Sequence, residues 1–296
     1  ANGASNLHEI GLLDSIPASI TTFDSNGDRL TDRLYVGDTG GNVWRVDMPG
    51  NSLPSASQNT WSIFKLASLG GVAVSDDRRF FNRIDVVSTR DGSVAFDAVL
   101  LGSGNRSHPN ETNVENSFYM IRDKEIDTSL HGGSGTPIPS AIVQTDFYDA
   151  TSNVLQDGTT GLGDLLSKPG WRISLERNGE KNLSSSLTLD GTVFFTTFAP
   201  DTSIATCVPI PGNGYLYAVN LQRATAAYNW DDSDSVLTKN DRQVGVGNRL
   251  PDSVTPHFGE DGIRIIGVGK GDNGSGSYDT GSDLETNGTY WYQEHD

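Results

Sequence analysis

Asp24, Asn26, Asp28 and Asp32 stand at positions 1, 3, 5 and 9 of the stretch Asp24-Ser25-Asn26-Gly27-Asp28-Arg29-Leu30-Thr31-Asp32, with the carbonyl of Leu30 at position 7. Carboxylates, an amide and a backbone carbonyl so spaced can converge on one hard cation, and a donor set made only of oxygen favours Ca²⁺ over zinc or copper. The loop differs from an EF-hand in having Arg29, not glycine, at position 6 and Tyr35, not a bidentate glutamate, at position 12. Its flanks, Ile20-Thr21-Thr22-Phe23 and Leu34-Tyr35-Val36, are short and β-branched or aromatic. The spacing therefore predicts a strand-loop-strand calcium site with Asp32 as the closing, bidentate ligand. The same residues would also suit an Asx-rich turn whose side chains accept hydrogen bonds from backbone N–H groups.

Other reactive side chains form no comparable set. His8, His108, His131, His257 and His295 are scattered singly, without the clustered nitrogen and sulfur ligands of a zinc site, and read as turn or surface residues. Cys207 is the single cysteine, so no intrachain disulfide can form, and no neighbouring histidine activates it. No Gly-x-Ser-x-Gly elbow occurs, and Gly267-Val268-Gly269-Lys270-Gly271 lacks the ending of a phosphate loop. Carboxylate pairs identify no glycosidase among 38 acidic residues, since chance alone supplies them. No catalytic residue is assigned, and the chain reads as a non-enzyme.

The 38 Asp and Glu outnumber 21 Lys and Arg, a formal charge of -17 over 296 residues, which opposes nucleic acid and anionic lipid as partners. No window approaches the roughly 18 apolar residues of a membrane-spanning helix, so direct membrane insertion is not expected. Ala1 opens without a basic or apolar leader, as a mature product or a fragment would.

The elements that must hold the loop read as strands. Leu34-Tyr35-Val36-Gly37-Asp38 and Val43-Trp44-Arg45-Val46-Asp47 flank the turn Thr39-Gly40-Gly41-Asn42 as a hairpin. Ala98 to Gly104 is answered by Ser117 to Asp123, and Gly191 to Thr197 by Gly214 to Asn220, with a further start at Ile263 to Gly269. Each copy joins an apolar strand to an aromatic one ending in Asp or Asn, the pattern of propeller blades. Trp44, Tyr119 and Tyr217 recur at equivalent positions and are expected to pack between sheets. They lie 75 and 98 residues apart, so the blades carry long insertions, with one more blade strand expected at Phe80 to Val87. A short helix is expected over Gly161 to Ser167, stopped by Pro169. The expected fold is all-β: a distorted, incomplete β-propeller-like domain over 1–268 with long inter-blade loops, then a Gly/Asp/Ser-rich tail over 269–296 with an aromatic end.

These blocks resemble the C-terminal β-propeller domain of the PilY-type family of type IV pilus biogenesis and tip adhesin proteins. The likeness rests on the calcium loop fused to Arg33 through Asp47, on Arg78-Arg79-Phe80-Phe81, on Gly102 through Pro109 with Phe118-Tyr119, and on the paired strands at Gly191 and Gly214. The resemblance implies Asp24, Asn26, Asp28, the Leu30 carbonyl and Asp32 as Ca²⁺ ligands. It also implies an exported protein at the pilus tip, associated with the outer membrane of a Gram-negative bacterium, that contacts minor pilins and a host or abiotic surface ligand. Calcium occupancy would bias pilus extension against retraction. Similar blades also occur in quinoprotein oxidoreductases, which would add a cofactor in the central funnel, and in integrin-like interaction propellers, which would add further calcium loops.

Overall fold

The computed structural model describes residues 12–50, 53, 61–126, 131, 137–152, 155–156, 158–203, 212–230, 235–260, 262–266, 268–269 and 276–280. They form four antiparallel-rich sheets in chain order, with one short α-helix, Leu162–Ser167, where the sequence predicts it. The architecture is all-β and propeller-like.

The first sheet pairs Thr21–Phe23, Arg33–Gly37, Asn42–Asp47 and Ser62–Ser68. The second pairs Asp85–Asp91, Val94–Gly102, Ser117–Asp123 and Gly170–Ser174. Thr192–Pro200 and Gly212–Asn220 form the centre of the third, and Thr255–Gly259, Gly262–Ile266 and Ser277–Asp279 make the fourth.

The central strands are continuous apolar runs because both of their faces are buried. In Val94–Gly102, Val99 and Leu101 face the first sheet with Tyr35, Val43 and Phe64, while Ala98 and Leu100 face the third with Val193 and Phe195. In Ser117–Asp123, Tyr119 and Ile121 join the first of these cores, and Phe118 and Met120 the second. The Phe118 and Phe195 rings stack at 3.8 Å, and the Phe195 and Tyr217 rings at 4.6 Å. Phe194 and Leu216 turn to the fourth sheet, against Ile265 and Tyr278.

Tyr119 and Tyr217 are buried between sheets as expected. Trp44 is buried too, but its strand neighbour Arg45 reaches the second sheet, so Trp44 faces the opposite side. There its Nε1 donates to Asp38 at 2.7 Å and the Lys65 ammonium sits 5.3 Å from its ring centroid.

The strand expected at Phe80 to Val87 is corrected. Residues 80–84 are not strand; pairing starts at Asp85, and that strand belongs to the second sheet as partner of Val94–Gly102 rather than to another blade. Phe80 and Ile84 are apolar because they plug the core between the first two sheets, which a run of apolar residues cannot distinguish from a strand. The long spacing from Tyr119 to Tyr217 has a structural cause. Ile142–Val143 returns to the first sheet and Tyr148–Asp149 joins the second, both in parallel pairing, before Gly170–Ser174 completes it. Within the stretch read as a tail, Ser277–Asp279 pair with Arg264 to Ile266, and Tyr278 is buried. Cys207, His8, His295 and 281–296 lie outside the described residues.

Candidate metal centre

Phe23 and Arg33 are register partners at the open end of a hairpin, and the residues between them form the loop. The Asp32 N–H donates to the Phe23 carbonyl at 3.0 Å, and the Asp32 carbonyl accepts from Met48 N–H at 2.7 Å. Sheet pairing thus fixes both ends of the loop.

Side-chain oxygens inside it are fixed by short-range hydrogen bonds that the alternating sequence makes possible. Asp24 accepts from Gly27 N–H at 2.7 Å and Arg29 N–H at 2.8 Å. Asn26 Oδ1 accepts from Asp28 N–H and Asp28 Oδ1 from Leu30 N–H, each at 2.8 Å. Gly27 and Arg29 adopt positive φ, 82° and 73°, to turn these N–H groups inward. At loop position 6 Arg29 therefore takes the left-handed backbone for which an EF-hand uses glycine.

Asp24, Asp28 and Asp32 each offer a carboxylate oxygen within 4.8 Å of the others. Two oxygens on opposite sides of a Ca²⁺ ion bound at 2.3–2.6 Å stand about 5 Å apart, so this spread fits one such cation. Asp24 and Asp28 are exposed and Asp32 is buried, so the cluster opens outward from an anchored base. Three carboxylates this close repel by roughly 1 kcal/mol per pair even in water. Donors offset part of that: Asp32 Oδ2 accepts from Ser25 N–H and Oγ at 3.0 Å, and the Asn26 amide nitrogen lies 3.4 Å from Asp32 Oδ1 and 3.5 Å from Asp28 Oδ2. Desolvation opposes ionisation of Asp24, yet the N–H groups of Arg29 and Gly27 outweigh it and hold its carboxyl below the ordinary range.

The structure thus brings together Asp24, Asp28 and Asp32 with Asn26 touching the last two, while Leu30 enters through its N–H. The cluster could hold a metal ion. Sequence reasoning missed Ser25, the donor that orients Asp32; its place between two ligand positions was the available signal.

Also missed was a set of buried charges just beyond the loop. Arg33, with no exposed surface, donates to Asp97 at 2.5 Å and Asp47 at 3.2 Å and to the carbonyl of Glu125 at 2.8 Å. Arg45 donates to both Asp123 oxygens at 2.7 Å and to Asp47 at 2.9 Å, and the Tyr35 hydroxyl donates to Asp123 at 2.8 Å. Burial pushes the Asp97 carboxyl above its ordinary range, against the hydrogen bond from Ser88 and the charge of Arg33. Buried charges thus bridge the first and second sheets directly behind the loop. His131, read as a surface residue, is buried in the same network, its ring nitrogens 3.1 Å from Asp47 and 2.7 Å from Glu125. His108 and His257 are exposed, as expected.

No family model matches the chain. It is 24% identical over 227 residues to the type IV pilus biogenesis factor PilY1 homolog of Xylella fastidiosa, an alignment covering 71% of this chain and 14% of that protein. The fold matches the crystal structure of the Pseudomonas aeruginosa PilY1 C-terminal domain with a TM-score of 0.56 at 14% identity, over 84% of this chain and 58% of that one. The chain spans only a small part of the length of that curated relative. Among the described residues, no helix is long and apolar enough to cross a membrane.

Proposed function

From a chain similar in sequence to a PilY1 homolog and in fold to a PilY1 C-terminal domain, we propose a calcium-binding, non-catalytic part of a type IV pilus biogenesis factor and adhesin. The observation that carries the calcium reading is the convergence of Asp24, Asp28 and Asp32 within 4.8 Å on a loop pinned at both ends by sheet pairing. Asn26 Oδ1 and the Leu30 carbonyl complete the proposed ligand set. With a cation shared among them, the carboxylates no longer repel, and loop closure is coupled to folding of the hairpin.

Arg33 begins where the ligand Asp32 ends, so a fixed loop also fixes the arginine that bridges the first and second sheets. This coupling supports the reading that calcium occupancy biases a conformational balance, and in the assembled pilus extension against retraction. The proposed location is the exported pilus tip, with minor pilins and a surface ligand as partners. The domain of the proposal is 1–268, with the remaining residues as a connector that contributes one strand.

The test is thermal melting in chelator and in added Ca²⁺, for the parent and for Asp24→Ala. At Kd values of 10⁻⁴–10⁻³ M, 10 mM Ca²⁺ should stabilise the parent by about 1.4–2.7 kcal/mol. Asp24 is exposed, so the variant should fold and lose most of this response. A parent indifferent to Ca²⁺ would sink the calcium reading. In cells, the full-length protein carrying Asp24→Ala should alter surface motility while still being exported, and unchanged motility would remove the pilus-bias part.

A further inference from the structure

Between the second and third sheets lies a recess of about 290 Å³ that shares no residue with the metal loop. Ser174 comes from the second sheet, Tyr217 and Gln243 from the third, and Arg177, Lys239 and Arg242 supply basic groups, with Glu176 the one acidic residue of its lining. In a chain of net charge -17, three basic groups around one recess stand out, although Glu176 and the adjacent Glu180 offset two of them.

The cations are not equally compensated. Lys239 pairs with Glu176 at 2.5 Å, and Arg177 pairs with the buried Glu180 at 3.1 Å while its guanidinium lies 3.6 Å from the Tyr215 ring centroid. Arg242 is only 3% exposed. Its guanidinium donates to the carbonyls of Ala150 at 2.8 Å, Thr151 at 2.6 Å and Lys239 at 3.4 Å. No carboxylate is bonded to it among the described residues. A guanidinium has five N–H donors, so these bonds leave some of its capacity unused. Burial of a guanidinium is expensive and lowers the pKa of Arg242, and the nearby charges of Glu176 and Asp149 offset only part of that cost. A bound carboxylate would remove that imbalance.

Size and polarity narrow the ligand. The volume stands at the low end of small-molecule pockets, about 300 Å³, room for a single sugar or amino-acid-sized molecule. Apart from Ile173 and the ring of Tyr217, the lining is hydrogen-bonding, with the hydroxyl of Ser174 and the amides of Asn240 and Gln243 beside the cations. Ser174 Oγ already accepts from Arg172 at 2.6 Å and Gln243 Oε1 from Arg177 at 2.8 Å, so what these side chains offer a ligand is the Ser174 O–H and the amide N–H groups, donors that a hydroxylated acid can use and a greasy one cannot.

We propose that this recess binds one small hydroxylated carboxylate, an acidic sugar of the hexuronate type, its carboxylate held by Arg242 and Lys239 and its hydroxyls by Ser174, Asn240 and Gln243. The site does not depend on the metal loop, so either reading can fail without the other.

The experiment is calorimetric or NMR titration of the chain with sodium glucuronate, glucose, acetate and inorganic phosphate, each with and without calcium. Two variants are compared, Lys239→Glu and Asn240→Asp; both positions are surface-accessible, and either variant puts negative charge into the recess if the other fails to fold. Saturable glucuronate binding is expected, with Kd raised about tenfold or more in either variant and by added salt. Glucose, acetate and phosphate should each bind at least about tenfold more weakly, a difference of about 1.4 kcal/mol. Glucose equal to glucuronate would remove the role of charge, and acetate or phosphate equal to it would remove the role of the hydroxyls. Absence of saturation, or variants that bind as the parent does, would overturn the proposal.

Discussion

Asp123→Asn tests whether the buried charges behind the loop hold the first two sheets together. Asp123 is 4% exposed; its two oxygens accept from Arg45 Nη1 at 2.7 Å, and Oδ2 also accepts from the Tyr35 hydroxyl at 2.8 Å. The asparagine has the same shape, but it lacks the charge and turns an NH₂ group toward the Arg45 donors or the tyrosine. Arg45 would be left with the Glu125 carbonyl at 3.0 Å and, as its one carboxylate, Asp47, whose Oδ1 already serves Arg33. Breaking a buried ion pair by removing one partner costs about 3–5 kcal/mol. Because Asp47 remains, the lower end applies, roughly 3 kcal/mol. At about 2–4 °C per kcal/mol in a chain of this size, the melting temperature should fall by roughly 6–12 °C. Differential scanning calorimetry on the two proteins measures this. Replacing the pair together, Arg45→Met with Asp123→Leu, removes both charges and should recover at least half of the loss. A loss below about 1 kcal/mol for Asp123→Asn, or a double variant no better than the single one, would refute the claim that charge pairing here is structural.

Three further outcomes are expected. Gly170→Ala should lower stability by more than about 3 kcal/mol, because the new Cβ would lie 1.9 Å from the Met120 carbonyl oxygen; chemical denaturation checks it. Arg29→Gly should raise stability by roughly 0.5–1 kcal/mol, since φ is 73° and glycine tolerates that backbone; a drop in melting temperature would contradict it. The depressed Asp24 carboxyl contributes stability that is complete above its ordinary pKa of about 4 and is lost as pH falls through its lower folded value. The stability difference between the parent and Asp24→Ala in chelator should therefore be flat from pH 7 to about 5 and decline only below about 4, which melting curves of the two proteins across that range would reveal.

Local features were legible in the sequence because their causes are local. The i, i+2 spacing of Asp24, Asn26 and Asp28 produces the N–H bonds seen in the loop, and the hairpin around Thr39 to Asn42 pairs Val36 with Trp44 on its two sides. Asp38, fully buried, accepts from Gly40 N–H, Asn42 N–H and Trp44 Nε1, all within six residues. Strand content and the short helix followed from runs and breakers in the same way.

What the tertiary structure alone decided are the contacts between residues far apart in the chain. Arg33 meets Asp97, 64 positions away, and Arg242 meets Ala150, 92 positions away, and nothing in their neighbourhoods announces a partner. Whether Phe80 is a strand or a plug, and whether His131 is at the surface or between two carboxylates, depends on which sheet closes over it. Spacing along the chain sets which oxygens can share a loop. Packing of one sheet on the next sets which charges must share an interior.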